Sequence, residues 1–352
     1  MNIAIRFAAG VVLTAGIISA RSAGALAQEA PTPSAPQSLA RAGLVTGGLN
    51  LTPSDAQGHA VHIMPTVQAA KALPKVQSAL GVLSYNGGPI MPYIQIYNIF
   101  WTGAMQVGGN ANLPNHYKNL GNLFAMDYAA HPISSNNTQY SQSAPLQYVT
   151  GLTTIPGHSW GGTYYDTNAF PVSGCTSSVT PGNCITDAQI QAEIVRVMGV
   201  TGWTGGLNKI YLLYTGQGQG SCFTSASTSC SYTSYCAYHG SISGATPIIY
   251  GNEPYADPSF CSAAGQTFPN NDPPADAAVN VASHEVTEAI TDPLLNAWWD
   301  SANGQEIGDL CAWQFGANTW DGGLANQFWN NHNYELQLEY DNHNASCVQV
   351  GP

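Results

Sequence analysis

The chain has 352 residues, of which 44% are apolar and 8% are Asp, Glu, Lys or Arg. Ordinary soluble domains carry about 25% charged residues, so this composition supports a large core with few surface ion pairs. Eight basic and 20 acidic residues give a formal net charge of −12. From Tyr85 onward the basic side chains besides histidine are Lys118, Arg196 and Lys209. Three fixed cations cannot neutralise a run of phosphates, which excludes nucleic acid and disfavours anionic lipid as a partner.

The first 27 residues have the features of an export signal. Arg6 provides a positive start, residues 7–20 are small and apolar but too few to span a bilayer, and Ala25-Leu26-Ala27 forms an A-x-A cleavage site. We therefore expect a secreted protein, extracellular or periplasmic, that does not associate with membranes after cleavage. An uncleaved anchor is the alternative interpretation.

The cysteines agree with export. All eight lie in the second half of the chain, and their even number predicts four disulfides in an oxidising compartment. The sequence favours one pair, Cys175 with Cys184, because Pro181-Gly182-Asn183 between them is turn-forming. A zinc site made by cysteines is the competing interpretation, but no C-x-x-C pair occurs.

The composition changes near residue 85. Residues 28–84 are rich in Ala, Pro, Gln, Ser and Gly, which predicts a pro-segment or a flexible leader. Residues 85–352 are expected to form a single domain. Its predicted elements are strands at 93–101, 146–152, 209–214, 246–250 and 334–340, helices at 115–130, 186–200 and 276–291, and disulfide-pinned loops at 216–245. Strands that alternate with helices indicate an α/β (α+β) fold with a loop-rich, disulfide-stapled C-terminal part.

The predicted helix at 276–291 carries the motif with the clearest chemistry. His284 and Glu288 lie one turn apart on one face, as in the H-E-x-x-H zinc helix, with Glu in place of the second His. Glu285 would be the general base that deprotonates water at the metal. The opposite stripe should pack into the core; it comprises Val279, Ala282, Val286 and Ala289.

A catalytic zinc needs a third protein ligand. Glu306 is the first choice and Asp309 the second, with Asp292 as a further candidate. The carboxylate that replaces a histidine gives the site a harder donor atom, so manganese or calcium are alternatives to zinc.

The acidic residues near this motif are unusually dense for a chain so poor in charge. They meet no Lys or Arg between positions 285 and 309, and they repel one another unless a cation or a shared proton offsets them. The cluster consists of Glu285, Glu288, Asp292, Asp300, Glu306 and Asp309. The alternative is that His284 and Glu288 form only a surface pair.

Other candidate residues are weaker. His239, beside a predicted disulfide, is interpreted as a structural histidine, with substrate contact as the alternative. His158 lies in a predicted loop and would line a cleft. No G-x-S-x-G nucleophile motif occurs, and the glycine run at 216–220 lacks the lysine of a phosphate-binding loop.

Several motifs together resemble a known family. They are Gly87-Gly88-Pro89, Cys236-x-x-His239-Gly240-Ser241, Ile249-Tyr250-Gly251-Asn252-Glu253, His284-Glu285-x-x-Glu288, Thr291-Asp292-Pro293-Leu294 and Glu306-Ile307-Gly308-Asp309-Leu310-Cys311. Over residues 85–347 the chain resembles a bacterial-type version of the EXORDIUM-like, phosphate-induced protein family, which implies an extracellular protein without implying a particular reaction. The order of elements also resembles zincin metallopeptidases, which implies a mixed sheet with an active-site helix.

Three functions follow as hypotheses. The first is a secreted, zinc-dependent metallopeptidase-like hydrolase with His284, Glu288 and Glu306 as ligands and Asp309 as a ligand or an orienting group. Its substrate would be an extracellular polypeptide or polysaccharide. The second is an extracellular binding or signalling protein whose metal is structural, held by both Glu306 and Asp309. The third is a carbohydrate-active protein that uses two of the clustered carboxylates as acid and base. The sequence indicates no oligomeric state.

Overall fold

The computed structural model describes most of the chain after residue 51 and two short strands before it. The described residues are 45–46, 49–50, 52–71, 83–128, 132–143, 145–150, 158–302 and 304–351. The predicted export signal, 1–27, lies outside them. Within these ranges no helix has the length and apolar character needed to cross a bilayer.

A six-stranded mixed sheet forms the centre of the fold. Its spatial order is β3-β12-β13-β10-β5-β8, formed by Ile63–Pro65 (β3), Tyr235–Ile242 (β12), Ile248–Glu253 (β13), Lys209–Thr215 (β10), Gln95–Trp101 (β5) and Trp160–Asp166 (β8). Neighbouring strands from β13 to β8 are parallel, whereas β12 runs antiparallel to both β13 and β3. The mixed α/β fold predicted from the sequence is therefore confirmed.

Helices cover both faces of this sheet. They are Val67–Ala70 (α1), Asn115–Asp127 (α2), Pro132–Ser135 (α3), Asp187–Thr201 (α4), Pro258–Cys261 (α5) and Pro273–Thr291 (α6). Alternate residues of β10 show the layering: Ile210 and Leu212 pack with α2 and α6, and Tyr211 and Leu213 pack with α4. Because both faces are buried, the central strands are continuous apolar runs, which explains why they were predictable.

Six strand pairs and four disulfides organise the rest. The pairs join Val45–Thr46 (β1) with Leu49–Asn50 (β2), Leu83–Tyr85 (β4) with Trp298–Asp300 (β14), Ser141–Ser143 (β6) with Leu146–Tyr148 (β7), Cys184–Thr186 (β9) with Gly220–Cys222 (β11), Gln327–Trp329 (β15) with His332–Tyr334 (β16), and Glu339–Asp341 (β17) with Ser346–Val348 (β18). Short 3-10 helices occur at Asn136–Gln139, Asp309–Cys311 and Asp321–Gly323. The disulfides are Cys175–Cys184, Cys222–Cys230, Cys236–Cys261 and Cys311–Cys347, which confirms the predicted first pair.

Two local predictions were wrong. The predicted loop region 216–245 contains β12, whose Cys, His, Gly and Ser residues resemble a loop but lie buried between two strands. Gly240 is needed there because a Cβ atom would lie 2.8 Å from the Tyr250 hydroxyl. His158 lies in a turn, as predicted, and strand β8 begins two residues later at Trp160. The predicted strand at 334–340 is divided between β16 and β17.

Part of the predicted leader, 28–84, belongs to the folded body. Residues 63–65 form the outer strand of the sheet, and Val61, Ile63 and Met64 are buried. Whether the segment is removed after export stays a prediction.

The Cys311–Cys347 disulfide joins the loop after α6 to the last strand, across 36 residues. Replacing both cysteines by serine should lower the free energy of unfolding by about 2–4 kcal/mol, because the unfolded chain regains the entropy of the open loop. Urea unfolding of the double variant and of the wild type measures this difference. An unchanged midpoint would contradict the expectation.

Candidate metal centre

Helix α6 carries the H-E-x-x-E motif and is buried on all sides. It begins after Asp272, whose side chain accepts a hydrogen bond from the backbone N–H of Ala275, and it ends just before Pro293, which cannot continue a helix. Every residue from Ala275 to Thr291 is buried. The apolar stripe predicted from the sequence lies in the core, while the polar face contacts β12 and the loop 304–311 instead of an open cleft.

His284 is held by Gln337 on one side and by Glu288 on the other. Its Nδ1 lies 2.9 Å from Nε2 of Gln337, which also donates to the carbonyl of Gly308 at 3.1 Å. A carbonyl only accepts hydrogen bonds, so this contact fixes the orientation of the amide. His284 Nδ1 therefore accepts from Gln337, and Nε2 carries the proton of the neutral ring. That Nε2 lies 3.0 Å from Oε1 of Glu288.

Glu288 uses its two oxygens differently. Oε1 faces His284 and also accepts from the backbone N–H of Asp309 at 3.0 Å. Oε2 has no hydrogen-bond partner among the described residues and lies 3.6 Å from Nδ1 of His239. The loop comes this close because residue 308 is glycine: a Cβ there would stand 2.7 Å from His284 Nδ1.

His239, on β12, faces a group of carboxylates. Its Nε2 lies 3.3 Å from the carbonyl of Asp292, to which it must donate, so the lone pair of the neutral ring is on Nδ1. That atom lies 3.6 Å from Oε2 of Glu285, 3.6 Å from Oε2 of Glu288 and 3.8 Å from Oε2 of Glu306. These separations are too long for hydrogen bonds. They resemble the separation between ligands of one cation, which is about 3.4 Å for a tetrahedral site with bonds of about 2.1 Å.

Two three-residue groups have the spacing of metal ligands, and they share Glu288. In each, one ligand atom per residue lies within 4.8 Å of the others; the groups are His239 with Glu288 and Glu306, and His284 with Glu288 and Asp309. All these side chains are buried. Each residue of the predicted metal set lies in one of the two groups, but His284 and Glu306, predicted as ligands of one ion, lie in different groups. The further candidate Asp292 is in neither group, because its carboxylate accepts from the backbone N–H of Ala297 at 2.6 Å.

Asp309 connects the centre to the N-terminal part of the chain. Its Oδ2 lies 3.1 Å from Nδ1 of His62 and accepts from the backbone N–H of Glu306 at 3.0 Å. Its Oδ1 lies 3.7 Å from Nε2 of His284. The carboxylate therefore holds the loop in place around the centre.

The electrostatics show how strongly these groups interact. Burial raises the pKa of Glu285 to about 7. Burial also acts to raise the pKa of Glu288, but His284 and His239 together hold that pKa well below its usual range. Burial acts to lower the pKa of His239, but the carboxylates of Glu306, Glu285 and Glu288 outweigh it and raise that pKa. His239 lies close to Glu285, Glu288 and Glu306, and His284 lies close to Glu288 and Asp309. A cation would relieve the repulsion among these buried carboxylates.

Sequence reasoning missed the position of two histidines. His239 was interpreted as structural, and His62 lay in the predicted leader. The available signal for His239 was its place in a run of small residues beside a cysteine, which fits a buried strand as well as a loop. For His62 the sequence contains no comparable signal, because its contact with Asp309 spans 247 positions.

Solvent does not reach the centre. His239, Glu285 and Glu288 are 0% exposed. A separate apolar cavity of about 400 Å³ is lined by residues that include Met91, Tyr128 and His158, and no residue of the centre lines it. His158 does line a cavity, which reaches α6 at Ile290 but is lined by none of the candidate ligands.

Comparison with known proteins gives a limited result. No family model matches the chain, and no solved structure matches it. The chain is similar to Protein EXORDIUM-like 3 of Arabidopsis thaliana, with 35% identity over 83 residues, which cover 22% of this chain and 24% of the relative. It is also similar to Protein EXORDIUM-like 5 of the same plant, with 36% identity over 70 residues, 18% of this chain and 19% of the relative. The similarity thus spans about a quarter or less of these relatives and supports the resemblance to EXORDIUM-like proteins loosely.

Proposed function

We propose that the protein is a secreted metal-dependent hydrolase whose cation is held by His239, Glu288 and Glu306. The observation that carries this proposal is the environment of His239 Nδ1. If His239 Nδ1 is unprotonated, its lone pair faces three carboxylate oxygens with no positive group between them. As a protonated nitrogen it would need an acceptor at hydrogen-bond distance, but these three oxygens stand at 3.6–3.8 Å. A divalent cation bound by His239 Nδ1 and by the oxygens of Glu288 and Glu306 would offset this negative charge.

In this arrangement His284 positions a ligand and does not itself coordinate. Because Gln337 donates to Nδ1, the proton of the neutral ring is on Nε2, which lies 3.0 Å from Oε1 of Glu288 without hydrogen-bond geometry. Oε1 accepts from the backbone N–H of Asp309, which leaves Oε2 for the cation. This differs from the sequence prediction, in which His284 coordinates the metal. The competing set of His284, Glu288 and Asp309 would require the opposite tautomer of His284, with an N–H of the ring directed at an N–H of Gln337.

Zinc is the cation proposed for this donor set, with manganese as the alternative. One imidazole and two carboxylates suit both ions, and a set with more oxygen than nitrogen favours the harder ion relative to a site made of histidines. A calcium ion would need more oxygen ligands than these residues offer.

Glu285 is suited to the role of general base. It adjoins His239 on the same side as the other carboxylates but is absent from the group with metal-ligand spacing. Both of its oxygens lack a hydrogen-bond partner among the described residues. A bound cation would supply Lewis-acid activation of water, and the Glu285 carboxylate would accept the proton that this water loses.

A structural metal is the second candidate function, and the complete burial of the centre favours it. A structural site is closed, whereas a catalytic site keeps a position for water. The same residues would then fasten α6, β12 and the loop 304–311 together in an extracellular binding protein. Four disulfides support an oxidising compartment for either function.

The test begins with elemental analysis of protein purified from an oxidising compartment. We expect about one zinc or manganese ion per chain. Labelled protein and polysaccharide substrates are then assayed with and without a chelator. Chelator-sensitive cleavage, restored by added metal, supports the hydrolase. Stoichiometric metal without cleavage of either class supports the structural site, and folded protein that neither contains nor takes up zinc or manganese would refute both.

A further inference from the structure

The strand that covers β12 comes from the predicted leader. β3 pairs antiparallel with β12, with Ile63 opposite Tyr238 and Met64 opposite Ala237. Without β3, β12 would be the edge of the sheet, and β12 carries His239. An exposed sheet edge with unpaired backbone groups is a surface that binds extended peptides.

The contacts of β3 alternate as those of a bound peptide do. Ile63 packs in the cluster on the α4 face, and Met64 packs in the cluster on the α2 and α6 face. The backbone N–H of Thr66 donates to the carbonyl of Ser234 at 3.0 Å, which extends the main-chain pairing past the strand. Main-chain bonds with pockets for alternate side chains are the recognition mode of strand addition.

The same segment also covers the loop that bears Glu306. His62 contacts Asp309 through Nδ1, and its ring packs at Gly304, where a Cβ would come within 3.1 Å of it. Trp313 donates from Nε1 to the carbonyl of Pro65 at 2.9 Å. Residues 61–66 therefore bridge the two pieces of chain, β12 and the loop, that supply ligands in the proposed centre.

We propose that the outer edge of β12, together with the loop 304–313, is a binding site for an extended polypeptide, and that residues 61–66 occupy it as an internal ligand. The peptide that replaces them would carry apolar side chains at two successive positions, one for each face of the sheet. Its backbone would run antiparallel to β12, past His239. The binding of a peptide does not depend on the proposed function. Only the role of that peptide as a substrate rests on it.

Trypsin offers a selective way to test it. Lys71 is exposed just after α1, whereas the other described basic side chains lie in α2, α4 and β10. Trypsin should therefore cut first after Lys71 or at Lys75, which lies outside the described residues. A variant with Lys71→Gln and Lys75→Gln is the matched control. After the cut, the N-terminal fragment should be separable by gel filtration under mild denaturant while the body stays folded.

A fluorescent synthetic peptide of residues 57–71 then serves as the probe. We expect it to bind the cut and separated body saturably, and the same peptide with His62→Ala and Ile63→Asp to bind at least about tenfold more weakly. The uncut control should not bind. If the body unfolds once the fragment is removed, or if the native and altered peptides bind equally, the inference is wrong. Specific peptide binding by a protein that contains no metal would overturn the proposed function and support this inference, so the two can fail independently.

A second measurement needs no cleavage. Hydrogen exchange on the intact chain should show the amides of Ile63, Met64 and Thr66 exchanging at least about tenfold faster than those of β10, because a displaceable strand opens locally. Exchange of these amides as slow as that of β10 would mean that the segment does not open, which would overturn the inference.

Discussion

The His239→Ala variant should lose its metal, and the His284→Ala variant should keep it with affinity reduced by about 10–100-fold. The difference follows from the tautomers: the Nδ1 lone pair of His239 faces the carboxylates, whereas Nε2 of His284 carries the proton of the neutral ring beside Oε1 of Glu288. Loss of a group that only orients a metal ligand usually lowers the metal affinity by about 10–100-fold. Elemental analysis after dialysis against a weak chelator measures both.

The exposed His158 provides the matched control for this pair. His158→Ala should retain the metal content of the wild type, since His158 lines only the separate cavity. Circular dichroism establishes that each variant is folded. If His284→Ala is metal-free while His239→Ala is loaded, the ligand set is His284, Glu288 and Asp309, and the assignment made here is reversed.

The Glu285→Gln variant should keep its metal and lose hydrolytic activity by about 10²–10⁴-fold, the usual size of a general-base contribution. The amide has the shape of the carboxylate but cannot accept the proton. Because a buried carboxylate without hydrogen-bond partners opposes folding, the metal-free variant should also unfold at a higher temperature than the metal-free wild type.

The pH dependence of the hydrolytic activity is a second test of Glu285 as the general base. The base must be ionised, so activity rises as the pH increases through its pKa. Burial raises that pKa to about 7 in the metal-free chain, and a bound cation lowers it, so the rise should be centred below pH 7. If Glu285→Gln retains full activity and the same profile, another residue is the base; Glu253, a buried carboxyl whose pKa is raised by burial and by Glu285, would be the next to test.

The sequence predicted the parts of the fold that depend on local pattern. The strands β5 and β10 and the helices α2, α4 and α6 have apolar periodicity that any buried layer requires. The H-E-x-x-E segment and the downstream acids were found for a similar reason, since a helix brings positions four apart together and a dense acidic cluster needs compensation.

The residues that escaped prediction depend on long-range pairing. β12 has neither apolar alternation nor a β-branched run, and it is a strand because β3 and β13 flank it. His239 consequently reaches Glu288 through sheet geometry, and His62 reaches Asp309 through the addition of β3. The tautomer of His284 depends on Gln337, whose contact spans 53 positions. No short window of sequence contains these relations.

The Cys236–Cys261 bond sets an order for the maturation of the centre. Cys236 lies on the same strand as His239, and the bond ties that strand to α5, next to α6 in the chain. A chain with reduced cysteines has a less restrained β12 and therefore a less organised set of ligands. In the proposed metal centre, oxidation would thus precede cation loading.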